Sequence, residues 1–98
     1  IPLTMKTLRK YWVPKPLHDE TQGKNRSDFI SRAINLGCEH PELMVESLKK
    51  RITQAEPLEY VYVTVSIDVK TVENLKSLSQ KVDLTMDTMV KLMLEAQM

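Results

Sequence analysis

The chain has 98 residues, 42% of them hydrophobic and 28% charged, a composition that suits one small folded domain or two very small ones and excludes low-complexity disorder. A single cysteine, Cys38, excludes an intrachain disulfide framework, no run approaches the ~20 apolar residues of a membrane span, and no signal-like apolar core opens the sequence as given at Ile1. The net charge of +1 is unevenly spread: residues 1–57 carry ten Lys/Arg against seven Asp/Glu, and residues 58–98 four against six. A cytoplasmic protein fits these limits, and an anionic partner would meet the N-terminal half first.

Taken in chain order, Thr4–Val13 (TMKTLRKYWV) reads as a strand because it holds β-branched and aromatic residues and no Gly. Pro14 and Pro16 stop it, and residues 14–25 (PKPLHDETQGKN) read as a loop with one helical turn near Leu17–Thr21. Residues 26–36 read as a helix capped by Ser27, with Phe29, Ile30, Ala33, Ile34 and Leu36 on its apolar face and Gly37 at its left-handed C-cap. Pro41 opens a helix running to about Ala55, on which Met44, Val45, Leu48, Ile52 and Ala55 share a face, before Pro57.

Leu58–Ile67 is the clearest strand: Val61, Val63, Val65 and Ile67 alternate with Tyr60, Tyr62, Thr64 and Ser66. Asp68 suits the N-cap of a helix over Val69–Val82 with Val72, Leu75, Leu78 and Val82 in register. A turn at Asp83-Leu84 and a cap at Thr85 lead into a last helix striped with Met86, Met89, Val90, Met93 and Leu94. The order is β, loop, α, α, β, α, α, with a boundary near Pro57 that divides residues 1–57 from 58–98.

Residues 60–97 bury too little surface to fold alone, and a lone strand leaves two open edges. Pairing that strand antiparallel with a second strand solves both problems, and the resulting ribbon fits the major groove of DNA. In its alternating strand at Val61–Ile67, acidic residue and helix at Asp68–Val82, turn at Leu84-Thr85 and helix at Met86–Gln97, the segment resembles the ribbon-helix-helix family of Arc- and Met-repressor-like proteins. That resemblance implies a mainly α fold with a short antiparallel β-ribbon, and a transcriptional repressor or an accessory factor for plasmid or phage DNA. It places Tyr62, Thr64 and Ser66 at the base-reading positions and gives the backbone N–H groups at Thr85 and Met86 a phosphate to hold. The family often sets Arg, Lys, Asn or Gln among the strand readers, and this strand has none.

The stretch VPKPLHDETQGKNRSDFISRAI is similar to a degenerate unit of the same kind, with a first helix several residues too short. Two arrangements follow. Either strand 4–13 pairs with strand 58–67 in an intramolecular pseudo-dimer, or residues 58–98 form a homodimer and residues 1–57 are an attached arm. Counting back from Val13 turns Leu8, Lys10 and Trp12 outward, whereas a one-residue slip turns Thr7, Arg9 and Tyr11 outward. Lys6, Arg9, Lys10 and Arg26 beside Ser27 are the candidate phosphate contacts. The alternative function is a dimerising protein-interaction module, an antitoxin or adaptor with a protein partner and no direct DNA readout.

Other signals carry less. Cys38 and His40 fall short of a zinc set, so neither a metal nor a cofactor is expected. His18 beside Asp19 and Glu20 sits in a proline-flanked loop. With no phosphate loop, metalloprotease helix or nucleophile elbow, the sequence predicts no enzyme and no membrane partner. The methionines Met89 and Met93 read as core packing.

Overall fold

A computed structural model of the chain describes residues 5–22, 24–53 and 57–98. Among these, strand β1 spans Lys6–Pro14, helix α1 Lys15–Glu20, α2 Lys24–Glu39, α3 Glu42–Thr53, strand β2 Tyr60–Asp68, α4 Val69–Val82 and α5 Met86–Glu95. The fold is mainly helical, built on one two-stranded antiparallel sheet. Thr4 and Ala55, expected to end the first strand and the third helix, lie outside the described residues.

β1 and β2 pair within the chain from Lys6 opposite Asp68 to Pro14 opposite Tyr60, with Lys10 and Thr64 at the centre. The ladder closes alike at both ends: Lys15 N–H donates to the Glu59 carbonyl at 2.9 Å, and Val69 N–H to the Met5 carbonyl at 2.8 Å. Period-two alternation then sorts the side chains. Tyr11, Val13, Val65 and Ile67 are buried against the helices, while Leu8, Lys10, Trp12, Tyr62 and Thr64 face out. The register is thus the one that turns Leu8, Lys10 and Trp12 outward.

Packing is crossed. α5 lies against β1 and α2 against β2, and the two helices meet each other. Ile30, Ala33 and Ile34 of α2 and Met89, Val90, Leu92, Met93 and Leu94 of α5 join the strand residues in one core with Leu17, Met44, Val72 and Leu75.

Several local expectations are corrected. The proline-rich segment after β1 forms the six-residue α1, because Pro16 occupies its first turn, where no N–H bond is lost. α2 starts at Lys24, so Ser27 lies a turn inside it and does not cap it. It continues through Gly37 to Glu39, and Gly37 serves close approach rather than termination: a Cβ there would collide with Met93, reaching its Sδ at 2.8 Å. Leu36 is turned outward. Asp68 makes no side-chain cap to α4, whereas Thr85 caps α5 through Thr88 N–H. Asp83, in the left-handed conformation at φ 57°, ends α4, a geometry that Asp tolerates better than most residues.

α3 departs furthest from expectation. Of the residues that share its apolar face only Met44 is buried among those described: Ile52 is 84% exposed and Val45 and Leu48 face solvent. The helix instead docks through Met44, Ser47 and Arg51. Ser47 Oγ donates to the Leu92 carbonyl at 2.6 Å, and Arg51 makes a forked pair with Glu95, Nε to Oε1 at 3.0 Å and Nη2 to Oε2 at 2.5 Å. The side chain of Glu95 is only 5% exposed.

Two stability outcomes follow. Gly37→Ala destabilises the protein by about 1–3 kcal/mol in urea unfolding, the range for overpacking a filled contact. Arg51→Met leaves the Glu95 carboxylate buried and unpaired and costs about 3–5 kcal/mol, while the double variant with Glu95→Leu recovers most of the loss in the same assay.

Candidate nucleic-acid interface

The surface left uncovered by the helices is the outer face of the ribbon. Along it β1 presents Lys6, Leu8, Lys10 and Trp12, opposite Asp68, Ser66, Thr64 and Tyr62 of β2. Strand alternation makes the face, and the crossed helices beneath hold it flat-side out. Lys10, at the centre, makes no ion pair among the described residues and stands opposite the Thr64 hydroxyl. Leu8 is 71% exposed.

The two ends of the face differ. At one, Lys6 and Asp68 share a shallow depression with Asp28, Ser31 and Arg32 of α2, a mixed group of charges that offset one another. At the other, the rings of Trp12 and Tyr62 stand 4.6 Å apart with their planes tilted by 36°. Lys91 of α5 reaches the same end, its Nζ 4.9 Å from the Tyr60 ring and 5.8 Å from the Trp12 ring. Tyr60 in turn accepts a hydrogen bond from Arg51 at 3.2 Å.

Beside the ribbon, the N-terminus of α5 meets β1. Leu8, Arg9, Lys10, Tyr11, Tyr62, Met86 and Asp87 line one groove. Thr85 Oγ1 accepts from Thr88 N–H at 3.2 Å, which leaves the first-turn N–H groups of Met86 and Asp87 pointing out of the helix end, where the dipole favours an anion. Arg9 is exposed beside them although it has the inward parity. Tyr11 is buried, and its hydroxyl has no partner among the described residues. Burial raises its pKa, with Arg9 opposing and Asp87 adding to the rise.

The sequence-derived candidates therefore divide. Lys6, Lys10, Tyr62, Thr64 and Ser66 lie on the outer face, and Arg9 and Thr85 at its flank. Arg26 and Ser27 lie elsewhere: Arg26 Nη2 donates to the carbonyls of Thr21 at 2.7 Å and His18 at 3.2 Å, tying the chain between α1 and α2. Sequence reasoning missed Lys91, whose signal was its place between the apolar pairs Met89-Val90 and Leu92-Met93 of α5. It also gave no role to the outward Trp12.

Elsewhere Cys38 is half-buried, its thiol pushed up by burial and by Glu39, and His40 pairs with Glu42 at 3.3 Å. Among the described residues no three metal-ligating side chains converge, and no helix is long and apolar enough to cross a membrane. Comparison with protein-family models, with curated proteins and with solved structures finds no match.

Tyr11, Tyr60 and Cys38 all have raised pKa values, chiefly through burial. The folded state therefore holds these protons more tightly than the unfolded chain does. The stability they contribute is complete below about pH 9 and is lost as pH rises through their folded pKa values. The unfolding midpoint should fall on the alkaline side, and Cys38→Ser should delay the onset toward the range where tyrosine titrates.

Proposed function

We propose that the chain is a tandem ribbon-helix-helix protein in which one polypeptide supplies both halves of the ribbon, and that it binds double-stranded DNA by laying the outer face of β1–β2 in the major groove. A transcriptional repressor, or an accessory factor for plasmid or phage DNA, is the role such binding supports. The observation that carries this reading is an intrachain ribbon with one face that no described residue covers and, at its centre, Lys10 without an ion pair among the described residues.

Further support comes from the internal correspondence of the two halves. Each strand is followed at once by a helix, and the closing hydrogen bonds of the ladder match at the two ends. The buried positions of α2 and α5 share an i, i+3, i+4 spacing: Ile30, Ala33 and Ile34 correspond to Val90, Met93 and Leu94. The first half is shortened, with six residues in α1 against fourteen in α4. On this reading Lys10 supplies the cation that β2 lacks and contacts a phosphate from the ribbon, with Thr64, Tyr62 and Ser66 as hydroxyl readers. Lys6 and Arg9 contact phosphates, and the first turn of α5 behind Thr85 receives another.

A second reading, a protein-interaction module of the antitoxin or adaptor kind, draws on one observation. Val45, Leu48 and Ile52 form an uncovered apolar stripe on α3.

Titration of a labelled random-sequence duplex at increasing salt tests the first reading. Binding should weaken linearly in log–log form, and Arg9→Ala or Lys10→Ala should each reduce the slope by about one. Light scattering of the free protein should give the mass of one 11.3 kDa chain, as an intramolecular ribbon requires, and not twice that. Absence of duplex binding at low salt would sink the DNA reading in favour of the protein partner.

A further inference from the structure

The outer face of the ribbon is divided at Lys10 and Thr64 into halves of different chemistry. On one side stand Leu8 and Ser66, and on the other Trp12 and Tyr62. Trp12 is 39% exposed and Tyr62 52%, although each covers part of the other. An indole has one N–H donor and no acceptor, so most of this surface cannot follow the pattern of donors and acceptors along a groove. What two adjacent rings can do is stack against the face of a base. An intact duplex offers only base edges in its grooves, so the face is reachable only where a base is unpaired or lifted out of its stack.

Cations flank these rings. Lys10 precedes Trp12 on the same face of β1, and Lys91 reaches the ring cluster from α5. Neither lysine is paired with a carboxylate among the described residues. Helix α5 is otherwise packed on nearly every side, so Lys91 has one direction in which to project, toward the aromatic end of the ribbon. Aromatic surface beside two ammonium groups that have no carboxylate partner among the described residues matches an unstacked nucleobase with its neighbouring phosphates.

We infer that Trp12 and Tyr62 form a base-stacking platform, with Lys91 and Lys10 as its phosphate contacts, so that the chain prefers DNA carrying an unpaired or unstacked base at one end of its site. The inference rests on the DNA-binding reading above and adds to it the chemical class of the preferred substrate. It also gives the site a direction. The Leu8–Ser66 end has no aromatic counterpart, so the two halves of the bound DNA are not equivalent.

Trp12 is the one tryptophan of the chain, so its emission reports on the platform alone. The experiment compares a fully paired duplex, the same duplex with one bulged thymine, and the corresponding single strand, following both anisotropy of the labelled DNA and tryptophan emission. The bulged duplex is expected to bind roughly tenfold tighter than the paired one, in line with the contribution of a single stacked base, and to quench Trp12. In Trp12→Ala the affinity for bulged duplex should fall to that for paired duplex, Trp12→Phe should keep most of the preference, and Tyr62→Ala should reduce it. Circular dichroism confirms that each variant is folded.

Equal affinity of the wild-type protein for paired and bulged duplexes overturns the platform while leaving duplex binding standing. So does a preference for the bulge that survives in Trp12→Ala. Tightest binding to the single strand, with quenching, upholds the platform and overturns the major-groove reading. Failure to bind any of the three DNAs removes both.

Discussion

The fold depends on the crossing of α2 and α5 beneath the ribbon. Each of these helices packs on the strand from the other half of the chain, so neither half owns a complete core. A strand and two helices of about 40 residues bury too little apolar surface to offset the entropy of ordering them. Exchange of helices between the halves merges two inadequate cores into one. The crossing requires close approach, and the backbone at Gly37 supplies it by leaving space for Met93. α3 then ties the arrangement from outside through Ser47 and Arg51, which bond to the C-terminal part of α5. Because the halves are covalently joined, their association is intramolecular and set by the effective concentration within one chain, not by protein concentration.

That dependence explains which parts of the molecule were legible in the sequence. β2 was clear because its alternation of Val and Ile with Tyr, Thr and Ser is a direct record of one buried and one open face. The stripe of α5 and the Thr85 cap were legible for the same local reason. The outward register of β1 was one of two alternatives, since its apolar residues fall on both faces: Leu8 and Trp12 have the same outward parity as Lys10. What could not be read was anything decided by a neighbour distant in sequence. Gly37 carries the ordinary signal for a helix end, and only the position of Met93 shows it to be an interior contact. The apolar spacing of α3 placed Met44, Val45, Leu48 and Ile52 on one face, but the helix is anchored by Met44 together with a buried serine hydroxyl and a forked ion pair.

The same distinction applies to the candidate interface. The hydroxyl face of β2 and the charges of β1 were visible as patterns, but their assembly into one surface needed the register that sets Lys10 opposite Thr64. Arg26 shows the converse. Its place near a helix start suggested an anion contact, yet its guanidinium is directed at two backbone carbonyls and organises the turn between α1 and α2. Lys91 reached the interface only through the crossing, which brings the middle of α5 to the aromatic end of the ribbon.

Joining two halves in one chain also releases them from identity. A ribbon made by two copies presents the same side chains twice, and any substitution changes both strands together. Here β1 carries Lys6, Arg9, Lys10 and Trp12, while β2 carries hydroxyls and ends in Asp68. The chain as a whole is nearly neutral, so on the DNA-binding proposal attraction to a polyanion would come from this local concentration on β1 and not from a general field. Asp87 works against it at the start of α5, where it stabilises the helix end but competes for the same N–H groups that an anion would use. On the proposed function, weak attraction at that flank would shift the burden of binding onto the central lysine and the face beside it. Under that constraint, the proposed platform of Trp12 and Tyr62 would add affinity without adding charge, and it would act on only one half of a bound partner.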